Sequence, residues 1–552
     1  MQYLEKLTNR KYDLSILLIV AIIVTVSAFS HDIYRDIASE ADSDFTGVYN
    51  ALRFNDDLPQ SMFDHTGYVY FVILSVWLKI LNFFSIVPIS KMSELPGPDT
   101  FEPIWSALIY AGRSLSIVLS ILSGVLFYFI TKLICENRNI AAAMGILFAL
   151  SPGLVRQSLV MHTELPSFVL FLFALLFALN AGRSKPWTEI GYVILAAFCA
   201  TLAAMSKMHI IPLLLTLPPV ALIINAQRVD RRRLAASSYS LPMIAGVGFL
   251  LLAFSVPAQV MIWTKVFPAL PELAELGTSS NGGYQLLIAS YLGFAVCLYK
   301  YIDRRLNREM FLVICAIFAG IAFAFYFNFL HHNTQNTAKL VNFVDSMSRF
   351  APTFVAKVGD DLTGSQLAFG LLISLGDKFL GALESKYLVL DMSTWPLTLM
   401  YWAVTFSILY MLAQRHWHFV LKLSAFLCIS LGMDTFSNIR SNAEHYRIFY
   451  ELWILFASAI IVQFILSSRY WSDLRYMKLR RIFVISLISV VYLYTFAGSV
   501  SRASTKVIWH DRKYGCSNAQ GYMYDLIGHF CTDRFLNPAH IKSGEENGPV
   551  SR

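Results

Sequence analysis

The chain reads as a succession of apolar runs separated by short polar or basic loops, and each run approaches the ~20 residues that cross a bilayer as a helix. The first, residues 14–30, follows a basic head carrying Lys6, Arg10 and Lys11. A secretory signal peptide opens the same way, but no small-x-small cleavage site follows, so this run is read as a retained helix. Further runs lie at 114–131, 140–154, 166–179, 190–204, 210–226, 238–262, 286–299, 310–330, 395–412, 419–431, 449–466 and 482–497. Together they predict an all-α polytopic membrane protein of about thirteen transmembrane helices. No internal repeat and no low-complexity tract stands out.

One more apolar stretch, residues 68–88, is ambiguous by hydropathy alone, and charge decides it. If it does not cross, one set of alternate loops contains Lys132 and Arg138; Arg183 and Lys185; Arg228 and Arg231–Arg233; Lys300, Arg304, Arg305 and Arg308; Arg415; and Arg469, Arg475, Lys478, Arg480 and Arg481. Every strongly basic short loop then falls on the cytoplasmic side, as the positive-inside rule requires. If residues 68–88 cross, all of these loops turn outward. The stretch is therefore read as a juxtamembrane or re-entrant helix on the outer face. The N-terminus is then cytoplasmic and the C-terminus external. Three external segments follow: a first loop at 31–113, a long loop at 331–394, and a small C-terminal tail at 501–552 beyond a membrane domain spanning 1–500.

Composition agrees with this pattern. Of 552 residues, 56% are hydrophobic, 14% aromatic and only 14% charged, against about a quarter charged in soluble proteins. A soluble enzyme, a nucleic-acid-binding protein and a disordered chain are excluded. The net charge of +8 resides in the short loops and does not point to nucleic acid.

The residues that could carry chemistry gather on the predicted external side. Asp42 and Asp44 lie in the first loop, ahead of Tyr49 and Arg53, and the loop continues through Asp64, His65 and Tyr68. A carboxylate beside a membrane face can act as a base or hold a cation; equally, acidic loops are often simply solvated. Glu164, two residues before Pro166, sits at the outer mouth of a span near His162; helix capping and a functional role both suit it. Arg113 opens the second span, Lys207 and His209 lie between two spans, and His445-Tyr-Arg447 precedes the twelfth. Each cation alone suits an interfacial anchor. As a set facing carboxylates, they suit a site that holds an anionic lipid headgroup beside a base. Five of the seven cysteines fall in or at the end of membrane helices. The remaining pair, Cys516 and Cys531, lies in the external tail, which suggests one disulfide in an oxidising compartment, two free thiols being the alternative.

The order of these motifs resembles the GT-C membrane glycosyltransferases, in particular the branch of the lipid A aminoarabinose transferase and the protein O-mannosyltransferases. The residues that carry the resemblance are Asp42-Ser-Asp44, His65-Thr-Gly-Tyr68, Arg113-Ser-Leu-Ser, Ser151-Pro152, Thr163-Glu-Leu-Pro166 and Ser206-Lys207, with His445-Tyr-Arg447 late in the chain. It covers roughly residues 1–225. The prolines that follow the family's Lys or His are replaced by Thr66 and Gly67, and the acidic pair is Asp-x-Asp rather than Asp-Glu. Either Asp42 or Asp44 can therefore occupy the family's essential position; Asp44 is favoured because it lies nearer Tyr49.

The resemblance implies an inverting transferase in a bacterial inner membrane. It would move a hexose or pentose from a polyprenyl-phosphate donor to a glycolipid, polysaccharide or protein acceptor at the cell envelope. It implies Asp44, Asp42 and Glu164 as catalytic carboxylates, Asp44 or Asp42 orienting or deprotonating the acceptor hydroxyl and Glu164 positioning the acceptor, with Arg113, Lys207, His65 and Arg447 at the donor phosphate. Tyr49, Tyr68, His162 and His445 would lie near the sugar or acceptor. A divalent cation (Mg or Mn) shared by Asp42, Asp44 and Glu164 is compatible with this set, but no spacing demands one. A lipid or sugar transporter is the main alternative. It would place ionisable residues at mid-membrane depth, whereas here the acidic residues lie in loops. A non-catalytic membrane scaffold is the other, and it needs no clustered carboxylates and cations.

Overall fold

A computed structural model describes residues 2–31, 33–34, 41–58, 67–95, 101–225, 307–330, 364–388, 395–438 and 446–467. Among them every regular element is helical. The helices are α1 (Gln2–Ser30), α2 (Ala41–Asn55), α3 (Tyr68–Phe83), α4 (Phe101–Cys135), α5 (Arg138–Ala149), α6 (Pro152–Ser158), α7 (Glu164–Ala181) and α8 (Pro186–Ser206). They continue as α9 (Ile211–Leu214), α10 (Leu217–Asn225), α11 (Asn307–Leu330), α12 (Gly364–Tyr387), α13 (Trp395–Ala413), α14 (Trp417–Asn438) and α15 (Arg447–Ser467).

Seven of the described helices are long and apolar enough to cross a membrane: α1, α4, α7, α8, α11, α14 and α15. They coincide with seven of the expected spans. The run at 140–154 is not one straight helix: α5 and α6 meet at a 55° bend. Pro152 explains the break. It lacks an N–H for the preceding turn and drives the residue before it out of the helical region. Ser151 is accordingly extended, and its hydroxyl accepts from Leu154 N at the start of α6. The run at 210–226 is likewise divided, into a 3-10 turn, α9 and α10, across Pro212, Pro218 and Pro219. The apolar part of α13 is shorter than a full span. The runs at 238–262, 286–299 and 482–497 lie outside the described residues, as do the bulk of the 331–394 loop and the C-terminal tail with Cys516 and Cys531.

The helices run between two polar layers. At one end Lys132 Nζ pairs with Asp13 at 2.8 Å, the Tyr12 hydroxyl donates to Asn139, and Arg183 bonds Leu133 O and Asn225. At the other end Arg113 pairs with Asp44, and Lys207 with Glu164. Arg113 and Lys132 stand on the same helix. Nineteen residue steps of ~1.5 Å separate them by about 28 Å, close to the ~30 Å hydrocarbon thickness. The chain passes from one layer to the other along α1, α4, the bent pair α5–α6, α7 and α8 in turn, the alternation expected from the loops.

α4 departs from expectation at its start. It begins at Phe101 and is 35 residues long, so Arg113 lies about 18 Å inside it rather than opening it. The first turns of α4 extend past the polar layer and pack with α2 and α3. α3 lies across this end of the bundle. Gly67 N donates to Ser206 O, where α8 finishes, and the Tyr68 hydroxyl donates to Phe327 O near the end of α11. Trp77 Nε1, further along α3, donates to Ala111 O and Ser114 Oγ beside Arg113. Both ends of the contact sit at one polar layer, so α3 does not run the length of the bundle. Its outer side leaves Val76, Ile80 and Phe83 exposed.

Candidate functional site

The polar layer beneath α3 gathers residues from both halves of the chain. Asp44, on α2, is the most enclosed. Its Oδ2 accepts from Arg113 Nε at 2.9 Å and Arg113 Nη2 at 2.7 Å. Its Oδ1 accepts from Met161 N at 3.0 Å. Arg113 Nη1 donates to Ile33 O, and the guanidinium lies 5.7 Å from the Tyr110 ring centre. Both side chains of the pair are 0% exposed. The segment carrying Met161 can come this close because Gly112 has no side chain. A Cβ there would fall 1.9 Å from Met161 Sδ. Ser116 Oγ donates to Val160 O and holds the same segment from the next turn of α4.

Glu164 begins α7 a few residues further on. Its Oε1 lies 2.9 Å from Lys207 Nζ, and the two side chains are 8% and 5% exposed. Thr163 precedes it as the N-cap without a side-chain cap bond, and its hydroxyl donates to Glu164 Oε2 at 3.4 Å. Glu164 thus stands in the positive first turn of a helix and also faces a lysine. Lys207 is extended, at the break between α8 and the following turn, which turns its chain toward α7. Ser167 Oγ donates to Ala203 O and fixes α7 against α8 one turn below.

The late helices add a second group. Arg447 Nε and Glu451 Oε1 form an ion pair one turn apart on α15. Glu451 Oε2 accepts from Gly153 N at 3.0 Å, joining α15 to the start of α6. Lys386, at the end of α12, lies 3.1 Å from Asp434 on α14 and 4.5 Å from the Tyr450 ring centre. Burial pulls the Lys386 ammonium below the usual lysine range, against the opposing pull of Asp434. The His209 ring connects the groups, 5.5 Å from Tyr446 and 6.4 Å from Phe436.

Arg113, Asp44, Glu164, Lys207 and Arg447 therefore share one end of the bundle, with His162 buried beside them. Asp44 and Arg113 hold each other instead of facing a common ligand. Tyr68 is buried, and burial raises its hydroxyl above the usual value. Tyr49 is half-buried and takes a bond from Arg53. Asp42 lies in the first turn of α2 with its side chain outside the described residues; His65 and His445 lie outside them too. Among the described residues no three His, Cys, Asp or Glu side chains form a group that could hold a metal ion. Of the three carboxylates considered for a shared divalent ion, Asp44 and Glu164 each face a cation. Lys386, Asp434 and Glu451 were not anticipated. The i, i+4 spacing of Arg447 and Glu451 was readable as a helical ion pair, whereas nothing local links Lys386 to Asp434.

No protein-family model matches the chain, and no curated protein matches it.

Proposed function

We propose that this protein is a polyprenyl-phosphate-dependent glycosyltransferase of the GT-C kind, working at the external end of the bundle. The observation that carries the reading is the layer of buried, paired charges at this end of the bundle, in which Glu164–Lys207 and Arg447–Glu451 keep a little exposed surface while the spans around them are apolar. Membrane proteins rarely gather ionisable groups without a task for them. In this reading about thirteen spans cross the membrane, the basic loops and the N-terminus are cytoplasmic, and the layer opens to the periplasm of a bacterial inner membrane.

In the proposed reaction the acceptor hydroxyl attacks the anomeric carbon of the donor. The bond from that carbon to the phosphate oxygen breaks, and the configuration inverts. The hydroxyl proton passes to a carboxylate, and polyprenyl phosphate leaves with the bonding electron pair. We assign the proton acceptor to Glu164, with Asp42 as its alternative. Asp44, whose oxygens serve Arg113 and Met161 N, acts as the fixed counter-charge that holds α2 against α4. Lys207 and Arg447 offset the charge that grows on the leaving phosphate. Nothing in this layer selects among glycolipid, polysaccharide and protein acceptors.

The test is mass spectrometry of surface glycans and glycolipids from cells with and without the gene. Loss of one sugar mass from a defined acceptor is expected. An unchanged profile under conditions where the protein is made would overturn the reading.

A further inference from the structure

The early motifs and the late helix meet at one carboxylate. Glu451 is 3% exposed and divides its two oxygens between partners far apart in sequence. One takes Arg447 Nε on its own helix; the other takes Gly153 N in the Ser151-Pro-Gly turn. The contact leaves no room to spare. A Cβ on Gly153 would lie 2.7 Å from Glu451 Oε2, 2.8 Å from Ile448 N and 2.9 Å from Ile448 Cα. Two of these three are backbone atoms, which cannot rotate aside. Pro152 fixes the turn from the other direction by keeping Ser151 extended. The turn leads through α6 to Met161, His162 and Glu164. The position of Arg447 is thus tied through one side chain to the segment that carries Glu164.

We infer that Glu451 is a positioning residue, which aims the Arg447 guanidinium into the polar layer and keeps it in register with Glu164. The inference rests on the proposed function, because the group positioned is the one assigned to the donor phosphate. Without Glu451 the guanidinium loses the carboxylate that its Nε faces, and α15 loses its bond to the Gly153 turn. A neutral amide in the same place keeps the shape but gives up the charge-assisted bond to Arg447.

The experiment measures binding of polyprenyl phosphate, the sugar-free leaving group, to the purified full-length chain in detergent. The parent, Glu451→Gln, Arg447→Ala and the double variant are compared, each with its melting temperature. Glu451→Gln is expected to weaken binding about tenfold, the loss typical of one charge-assisted bond. It should add nothing in the Arg447→Ala background, because there is then no guanidinium to aim. A residue that only stabilised the fold would lower the melting temperature and leave the dissociation constant of the folded protein unchanged. Glu451→Asp, one methylene shorter and still charged, should fall between parent and Glu451→Gln; it carries the test if Glu451→Gln does not fold. Equal binding by the parent and the Glu451 variants overturns the inference alone. Absence of binding by the parent overturns the donor assignment and this inference with it.

Discussion

Asp44 and Arg113 show what burial does to a charged pair. Neither side chain has exposed surface, and the aspartate accepts from Arg113 twice and from Met161 N once. Removing one member leaves the other charge unpaired in a dry interior, which costs about 3–5 kcal/mol. Asp44→Asn is therefore expected to lower the stability of the purified protein sharply, whereas the apolar pair Asp44→Leu with Arg113→Met should recover most of the loss. Thermal unfolding in detergent measures both, and an Asp44→Asn protein as stable as the parent would contradict the pairing. Glu164 is nearly as enclosed, at 8% exposure beside Lys207 at 5%, so Glu164→Gln leaves the lysine facing a neutral amide and is expected to lower stability as well, by less than Asp44→Asn because the amide still accepts a hydrogen bond. In the protein that folds, transfer should fall at least about a hundredfold, the low end for a positioned base.

Elements were legible in the sequence where one physical signal dominated. α1, α4, α7, α8, α11, α14 and α15 follow from hydropathy alone, since each carries an apolar run long enough to cross a membrane. The bend at Pro152 could have been read from the missing N–H, but the apolar run continued through it and concealed the break. The early start of α4 was concealed for the opposite reason: residues 101–113 are too mixed in polarity to signal a span, yet they pack against α2 and α3. The partnership of Asp44 with Arg113, and of Lys386 with Asp434, joins positions that only the folded chain brings together.

Gly112→Ala places a methyl on Met161 Sδ and should cost about 1–3 kcal/mol, as overpacking does. Adding Met161→Ala should relieve part of that loss, and an additive result would show that the two do not touch. A cysteine at Phe83, on the exposed side of α3, should be labelled from the same face of the membrane as a cysteine at Arg53, next to the α2–α3 contact. Labelling from opposite faces would mean that α3 crosses.

At the scale of the whole molecule, two layers of charge about 28 Å apart frame the described helices, and the larger set of buried pairs lies at one of them. Asp44–Arg113, Glu164–Lys207, Arg447–Glu451 and Lys386–Asp434 draw on α2, α4, α7, α12, α14 and α15 together with the break after α8. In the proposed function this end transfers a sugar from a lipid phosphate. The most direct test is mass spectrometry of the lipid extract and the envelope glycans from three strains: parent, gene deletion, and deletion carrying Glu164→Gln. The deletion and the Glu164→Gln strain are both expected to accumulate the polyprenyl-phosphate sugar and to lack the same single sugar on an envelope acceptor. Restoration of the parental profile by Glu164→Gln would contradict the assigned base, and a deletion strain with unchanged lipid-linked sugars and unchanged glycans would contradict the transferase itself.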